Sequence, residues 1–251
     1  MSVFSDMMSG MSNSAMMKPC YGLSLAEVTS IKDPENLGRI KCKHYTADED
    51  FGETGWIYCI TPFGGKEYGC FIHPRVGDIV ALCYEDGNID RPYAIGSLWV
   101  GEVKPPVEIT DGSNEVFKFI TPNKSFAEFS DTEQKERITL QTPKERKVVL
   151  DDENELISVS DGKNVLEING KSGEMQITCE KKLTIKVGEG VTITCDGSSG
   201  EIQIKTNTGI TLDSAKVQIK ASGEAAVEGN GSVTVKSSGV ATIKGSMTKI
   251  N

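Results

Sequence analysis

The chain has 251 residues, 37% hydrophobic and 25% charged, and a formal net charge of −9 at pH 7. That is enough for one large domain or two ordinary ones with a real core. The acidic balance disfavours nucleic acid and anionic lipid, which carry the same sign, and no run of eighteen apolar residues is present to span a bilayer as a helix.

The chain opens with "MSVFSDMMSGMSNSAMMKPC", which has no basic n-region and whose apolar residues are interrupted by Ser, Asp, Gly and Asn, so it reads as unprocessed. Residues 1–20 form a Met-rich tail holding Met1, Met7, Met8, Met11, Met16 and Met17. Their spacings place several on one face of a short helix suited to an adaptable interface, and a disordered tail is the other reading.

From Tyr21 to Trp99 short β-rich runs alternate with turn signals: "GLSLAEVTSI", "RIKCKHY", "TGWIYCITPF", "GDIVALCYE" and "YAIGSLW" are separated by "KDPENLG", "DGNIDRP" and similar stretches. Five strands with Asp-Gly and Asp-Pro turns predict a small antiparallel barrel of the OB type over residues 21–104. Gly77-Asp78 and Asp86-Gly87 are expected as turns, and Asp90-Arg91-Pro92 as a fixed loop with an ion pair.

Chemistry-bearing residues in this stretch are few. Glu85, Asp86 and Asp90 read as solvated turn carboxylates rather than catalytic groups. His44 and His73 lie far apart and neighbour no plausible nucleophile, and His73 precedes Pro74, which favours extended backbone. Trp56, Tyr58 and Phe63 could form a stacking platform for single strands, but the charge balance favours packing residues. Seven cysteines, Cys20, Cys42, Cys59, Cys70, Cys83, Cys179 and Cys195, form no Cys-x-x-Cys pair. They fit small buried groups of a chain made in a reducing cytosol, and Cys42, Cys59, Cys70 and Cys83 lack the tight pair of a zinc site. No metal, cofactor or catalytic residue is expected.

The order "IKDPENLGRIKC", "GWIYCITPFGG", "GCFIHPRVGDIVALCYEDGNIDRPYAIGSLW" and then "PP" resembles the OB-fold domain at the base of phage baseplate spikes and of the valine-glycine repeat spike proteins of type VI secretion. The landmarks are Asp33-Pro34, Leu37-Gly38-Arg39, Trp56, Pro62, Gly64-Gly65, Pro74, Val76 to Val80, Asp86-Gly87, Asp90-Arg91-Pro92 and Gly96-Ser97-Leu98.

Every aromatic falls at or before Phe129 and every proline at or before Pro143. After a linker or transition segment over residues 105–137, residues 138–251 are expected to form a repeat β-helical spike. Triplets beginning at Leu183, Val191, Ile202, Ile210, Val217, Ala225, Val233 and Ala241 recur with a period near eight. Each shows the two-residue alternation of a strand and buries only two side chains, too few to offset the ordering entropy of eight residues. Stability must come from stacking, with one chain supplying all three sides of a coil or three chains supplying one side each. Asn169, Asn207 and Asn230 are expected on regular solvated sides, with glycan binding as their sharper reading.

The resemblance selects the three-chain geometry. It implies an all-β protein, an N-terminal OB-fold barrel followed by a C-terminal intertwined trimeric β-helix (β-prism). It also implies the central spike of a contractile injection particle, whether phage tail, R-type bacteriocin or a related system. Such a homotrimer docks to the baseplate hub protein and tail tube and pierces the target cell envelope. The C-terminal end is expected to carry a small spike-tip protein or to form a metal-free tip. Residues 101–137 are too few for a hydrolase and nothing follows Asn251, so no enzymatic activity is expected. The protein is expected to assemble in the cytoplasm and to leave the cell within a phage-tail-like particle. The alternatives are a trimeric tail or fibre protein that binds cell-surface carbohydrate, and a monomeric β-solenoid enzyme of polysaccharide cleavage, for which the triplets show no carboxylate cluster.

Overall fold

The computed structural model describes residues 22–45 and 52–249. The Met-rich tail lies outside them. The chain divides into two compact units, one reaching to Pro143 and including Val149–Glu153, the other made of Lys144–Val148 and everything from Asn154 on. The protein is all-β, as expected.

In the first unit, β1 (Ser24–Ser30), β2 (Lys41–His44), β3 (Tyr58–Cys59), β6 (Ile79–Tyr84) and β7 (Pro92–Ser97) form one sheet in the order β2-β1-β6-β7-β3. All its pairs are antiparallel except β3 with β7. Ile40 and Ile57 exchange both backbone hydrogen bonds, each 2.9 Å long, so the segment leading into β3 also pairs with the one leading into β2. The sheet thereby closes on itself, which removes its open edges.

The core follows from the alternation of each strand. Ala26 and Val28 of β1, Cys42 of β2, Val80 and Leu82 of β6 and Ala94 of β7 meet Ile40 and Ile57 inside. Register shifts between Val28 and Ser30 on β1 and between Ala81 and Leu82 on β6 bend these strands round the barrel. The small hairpin of β4 (Gly64–Gly65) and β5 (Tyr68–Gly69) projects between β3 and β6 in the chain, and a single 3-10 turn, Glu85–Gly87, links β6 to β7.

Beyond the barrel the chain becomes an antiparallel meander. The first unit contains β8 (Val116–Ile120), β9 (Phe126–Ser130) and β10 (Arg137–Gln141), with β9 paired to both neighbours. Next in sequence is β11 (Lys147–Asp151). In the second unit β12 (Leu156–Ser160), β13 (Val165–Asn169) and β14 (Glu174–Thr178) pair in order. A separate sheet there holds β15 (Lys182–Val187), β16 (Val191–Asp196) and β17 (Glu201–Thr206). Strand starts from β8 to β17 are eight to eleven residues apart.

Two features differ from the sequence reading. Residues 105–137, expected as a linker, contain β8, β9 and the start of β10, so the regular meander begins at Val116. Of the triplets, those at Leu183, Val191 and Ile202 fall in β15, β16 and β17, whereas those at Ile210, Val217, Ala225, Val233 and Ala241 form no strand within the single chain. Residues 207–249 are exposed along their whole length. The reason is energetic: a triplet with two small apolar side chains and no neighbouring strand gains less than its ordering costs.

Candidate interaction surfaces

The loop between β1 and β2 is built round one carboxylate. Asp33 accepts from Arg39 Nη2 at 2.7 Å and Nε at 3.0 Å, and from the backbone amides of Glu35, Leu37 and Arg39. Arg39 also reaches Glu35 at 2.8 Å. Only 3% of the Asp33 side chain is exposed, yet both oxygens are satisfied. The Arg39 guanidinium, followed by the backbone donors, holds the Asp33 carboxyl well below the usual carboxylate range against an opposing desolvation, and Arg39 is raised in return. Gly38, at φ 69°, supplies the left-handed turn that brings Arg39 back to Asp33, and His73 Nε2 donates to the Gly38 carbonyl at 3.0 Å, joining this loop to residues 70–78.

A group with a lowered folded pKa contributes stability that is full above its unfolded value, about 3.9 for Asp, and is lost as pH falls from there through the folded value. Urea titrations between pH 6 and pH 2 are therefore expected to show the barrel weakening below about pH 4. Asp33→Asn should be less stable at pH 6, because it leaves Arg39 without its bidentate partner, and should weaken less on acidification. An unchanged acid slope would overturn this assignment. Asp161 and Asp196, both held at about 2, add to the acid loss in the meander. Backbone and side-chain donors of Asn164 act first on Asp161, and Lys182 acts first on Asp196.

The β4–β5 hairpin presents aromatic residues to solvent. A Cβ on Gly65 would meet the Tyr68 ring at 2.4 Å, and one on Gly69 would lie 2.8 Å from both the Gly64 Cα and the Phe63 carbonyl oxygen. Glycine at these positions lets the two short strands close. Cys70 N–H donates to the Phe63 carbonyl at 3.0 Å and Thr61 Oγ1 to the Cys70 carbonyl at 2.6 Å, which fixes the hairpin base. Ile60, Phe63, Tyr68, Phe71, Ile72 and Val76 are all left exposed, Phe71 by 83%. So many large apolar groups in one short stretch of surface mark an interaction site.

The meander carries a second and longer apolar surface. On β8 to β10, Phe117 lies opposite Phe129, which lies opposite Ile138, and Phe119 opposite Ala127, which lies opposite Leu140. In the second unit Ile157, Ile168 and Met175 align, as do Val159, Leu166 and Ile177. Ile185, Ile193 and Ile204 continue the pattern, beside Leu183, Cys195 and Ile202. Each strand thus gives at least two apolar side chains to one face of its own sheet, and most are exposed.

The other face is mixed and better covered, with Val116, Ile120, Phe126, Leu156 and Val165 among its polar residues. It holds the Lys118–Glu128 ion pair at 2.7 Å, the Arg137–Asp151 pair, and buried Thr139 and Ser158. A sheet that leaves its more apolar side in water and covers its more polar side reverses the usual arrangement.

The remaining residues singled out in the sequence are scattered. Cys42 is buried in the barrel core, which pushes its thiol up to about 12 and leaves it unreactive, and Cys59 is raised by burial as well. Among the described residues no group of three or more His, Cys, Asp or Glu side chains could hold a metal ion. His44 stacks on Tyr84, with ring centroids 6.4 Å apart, and burial lowers its pKa.

Arg91 pairs with Glu85 at 3.6 Å, so the ion pair expected within Asp90-Arg91-Pro92 reaches outside it, and Asp90 N–H donates instead to Asn88 Oδ1. Trp56 and Tyr58 flank the buried Ile57, with Lys41 5.4 Å above Trp56 and Arg39 6.0 Å above Tyr58. Tyr58 and Phe63 are more than half exposed, so they are not packing residues within one chain. Asn169 Oδ1 accepts from Ser172 N–H in a turn, Asn207 N–H donates to the Gly190 carbonyl, and Asn230 is exposed.

Residues 24–99, from β1 to just beyond β7, match the family of type VI secretion system and phage-baseplate injector OB domains. The type VI secretion system spike protein VgrG5 of Pseudomonas aeruginosa is 30% identical over 88 residues, which is 34% of this chain and 11% of VgrG5. The family match covers the barrel, where Asp33, Arg39, Gly77-Asp78 and the glycine hairpin have their structural roles, and the chain spans only a small part of the length of VgrG5. Over these residues the barrel is similar to the OB domain of type VI secretion and phage-baseplate injectors.

Proposed function

We propose that the chain is the structural central spike of a contractile injection particle, working as a homotrimer. The observation that carries this reading is the apolar stripe: at least two side chains per strand along one face of each sheet of the meander, most of them open to water within a single chain. Three copies that turn these faces towards a common axis bury all of them at once. The same arrangement gives residues 207–249, unpaired in one chain, neighbouring strands from the other copies. The opposite faces, which carry the ion pairs, then form the outside of a rod whose backbone groups are paired along its length, which makes it stiff.

In this reading the barrel docks on the baseplate hub, with the exposed hairpin of Phe63, Tyr68 and Phe71 as its contact surface, and the rod advances into the target envelope with the tail tube. The chain acts mechanically and carries no catalytic function. It assembles in the cytoplasm and leaves the cell as part of the particle. The family to which the barrel is matched supports association with baseplate and tail components.

Light scattering on the purified chain is expected to give the mass of three 27.1 kDa copies, resistant to mild heat and detergent. A monomer would overturn the reading.

A further inference from the structure

The stripe is uniform along most of its length. From β10 to β17 nearly every position on it is Ile, Leu or Val, with Met175 and Cys195 as the departures. Hydrophobic burial is non-directional, and exchanges among side chains of similar volume are the best tolerated in a core. If one copy slid along the others by one hairpin, strand directions would be kept and Ile, Leu and Val would again meet Ile, Leu and Val. Backbone pairing would also be restored, one strand pair further on. Over this region the sequence barely distinguishes the correct register from a slipped one.

The barrels do not remove this degeneracy. A slip of two strands is a shift of about 10 Å along the rod. Residues 98–115, between β7 and β8, form no strand, and an extended chain spans about 3.3 Å per residue, so this connection can absorb the shift.

One layer differs. Phe117 and Phe119 on β8 and Phe129 on β9 are the only aromatic residues on the stripe, they sit at its first two strands, and Phe119 is 67% exposed within one chain. Against a layer of Ile, Leu or Val, a phenylalanine layer either overpacks or leaves cavities, and both are penalised in a close-packed interior. Against the same layer of two other copies it fits.

We propose that Phe117, Phe119 and Phe129 set the axial register of the assembled copies, as an aromatic layer that packs well only against itself. The proposal rests on the trimer reading above. The layer fixes the start of the rod, and the low-contrast repeats follow in step. It also accounts for the compositional break at Phe129: once the register is set, bulky residues are no longer needed, and the narrower Val and Ala pairs can continue.

Cys195 supplies a probe, because it lies on the stripe between Leu183 and Ile202, and copies held in register bring their Cys195 residues to the same level of the rod. Mild oxidation of the full-length wild-type trimer followed by peptide mapping is expected to give a Cys195–Cys195 bond as the main product joining copies. The triple variant Phe117→Leu, Phe119→Leu, Phe129→Leu is expected to keep the trimer mass while the yield of that bond falls at least threefold. Should the triple variant not fold, Phe119→Leu alone decides, with a measurable fall in the same yield expected. An unchanged yield in a folded variant overturns the proposal, as does a wild-type trimer that lacks the bond. A monomeric wild-type chain sinks the trimer reading itself, so the two failures are distinguishable.

Discussion

Ile168→Asp should convert the assembled protein into single chains. Ile168 lies on β13 between Ile157 and Met175 and is partly exposed in the isolated chain, so a carboxylate there meets water and costs the monomer little. In the proposed trimer it would enter the apolar interior three times over. An uncompensated buried charge costs about 3–5 kcal/mol, and three carboxylates near one axis also repel one another. The total, on the order of 10 kcal/mol per trimer, is comparable with the whole stability of a small domain. Light scattering is expected to fall from three copies to one, while the fluorescence of the barrel stays native. Glu167→Gln, one residue away but on the opposite face, should leave the mass unchanged. A trimeric Ile168→Asp protein would show that the stripe is not the interface.

The barrel was legible because its sequence is punctuated by residues whose chemistry dictates a local shape. Asp33 and Arg39 announce a loop, and the structure shows why they are spaced as they are: the carboxylate collects three backbone amides and a guanidinium while Gly38 turns the chain between them. Gly64-Gly65 stands out in the sequence only as a landmark of the resemblance, and that these glycines and Gly69 hold an aromatic hairpin out into solvent depends on contacts no spacing reveals. Arg91 was read with its neighbour Asp90, whereas the 3-10 turn brings Glu85 to it.

The meander was harder to see at its beginning. Four of its early turns place Lys124, Gln134, Glu145 and Glu155 at positive φ, where Gly or Asn is the usual signal, so the turns between β8 and β12 lack the glycine that marks the later ones at Gly162, Gly173, Gly188 and Gly200. The reverse holds at the other end. Over residues 207–249 the apolar beat is plain in the sequence, yet a single chain forms no strand there, because the partners of those triplets are not within it.

Leu82→Ala should have the largest effect on the barrel. Leu82 is fully buried at the centre of β6, between Ala26, Val28, Ile40, Ile57 and Ala94, and the cluster it belongs to has only eight buried members. Truncating a buried Leu costs about 2–5 kcal/mol through lost transfer energy and the cavity left behind. In a domain of this size each kcal/mol lowers Tm by about 4–8 °C, so a fall of at least about 8 °C is expected. The measurement is clean because the protein's two tryptophans, Trp56 and Trp99, both lie in or directly after the barrel, and none lies in the meander. Phe71→Ala removes a larger side chain from the same unit but from an exposed position, and should shift the barrel's stability by no more than about 0.5 kcal/mol. If the two variants proved equally destabilised, the hairpin would be part of the barrel core rather than a surface offered to a partner. Leu82 holding the fold and Phe71 leaving it untouched is the pattern expected of a domain whose interior is complete and whose exposed aromatics are kept for docking.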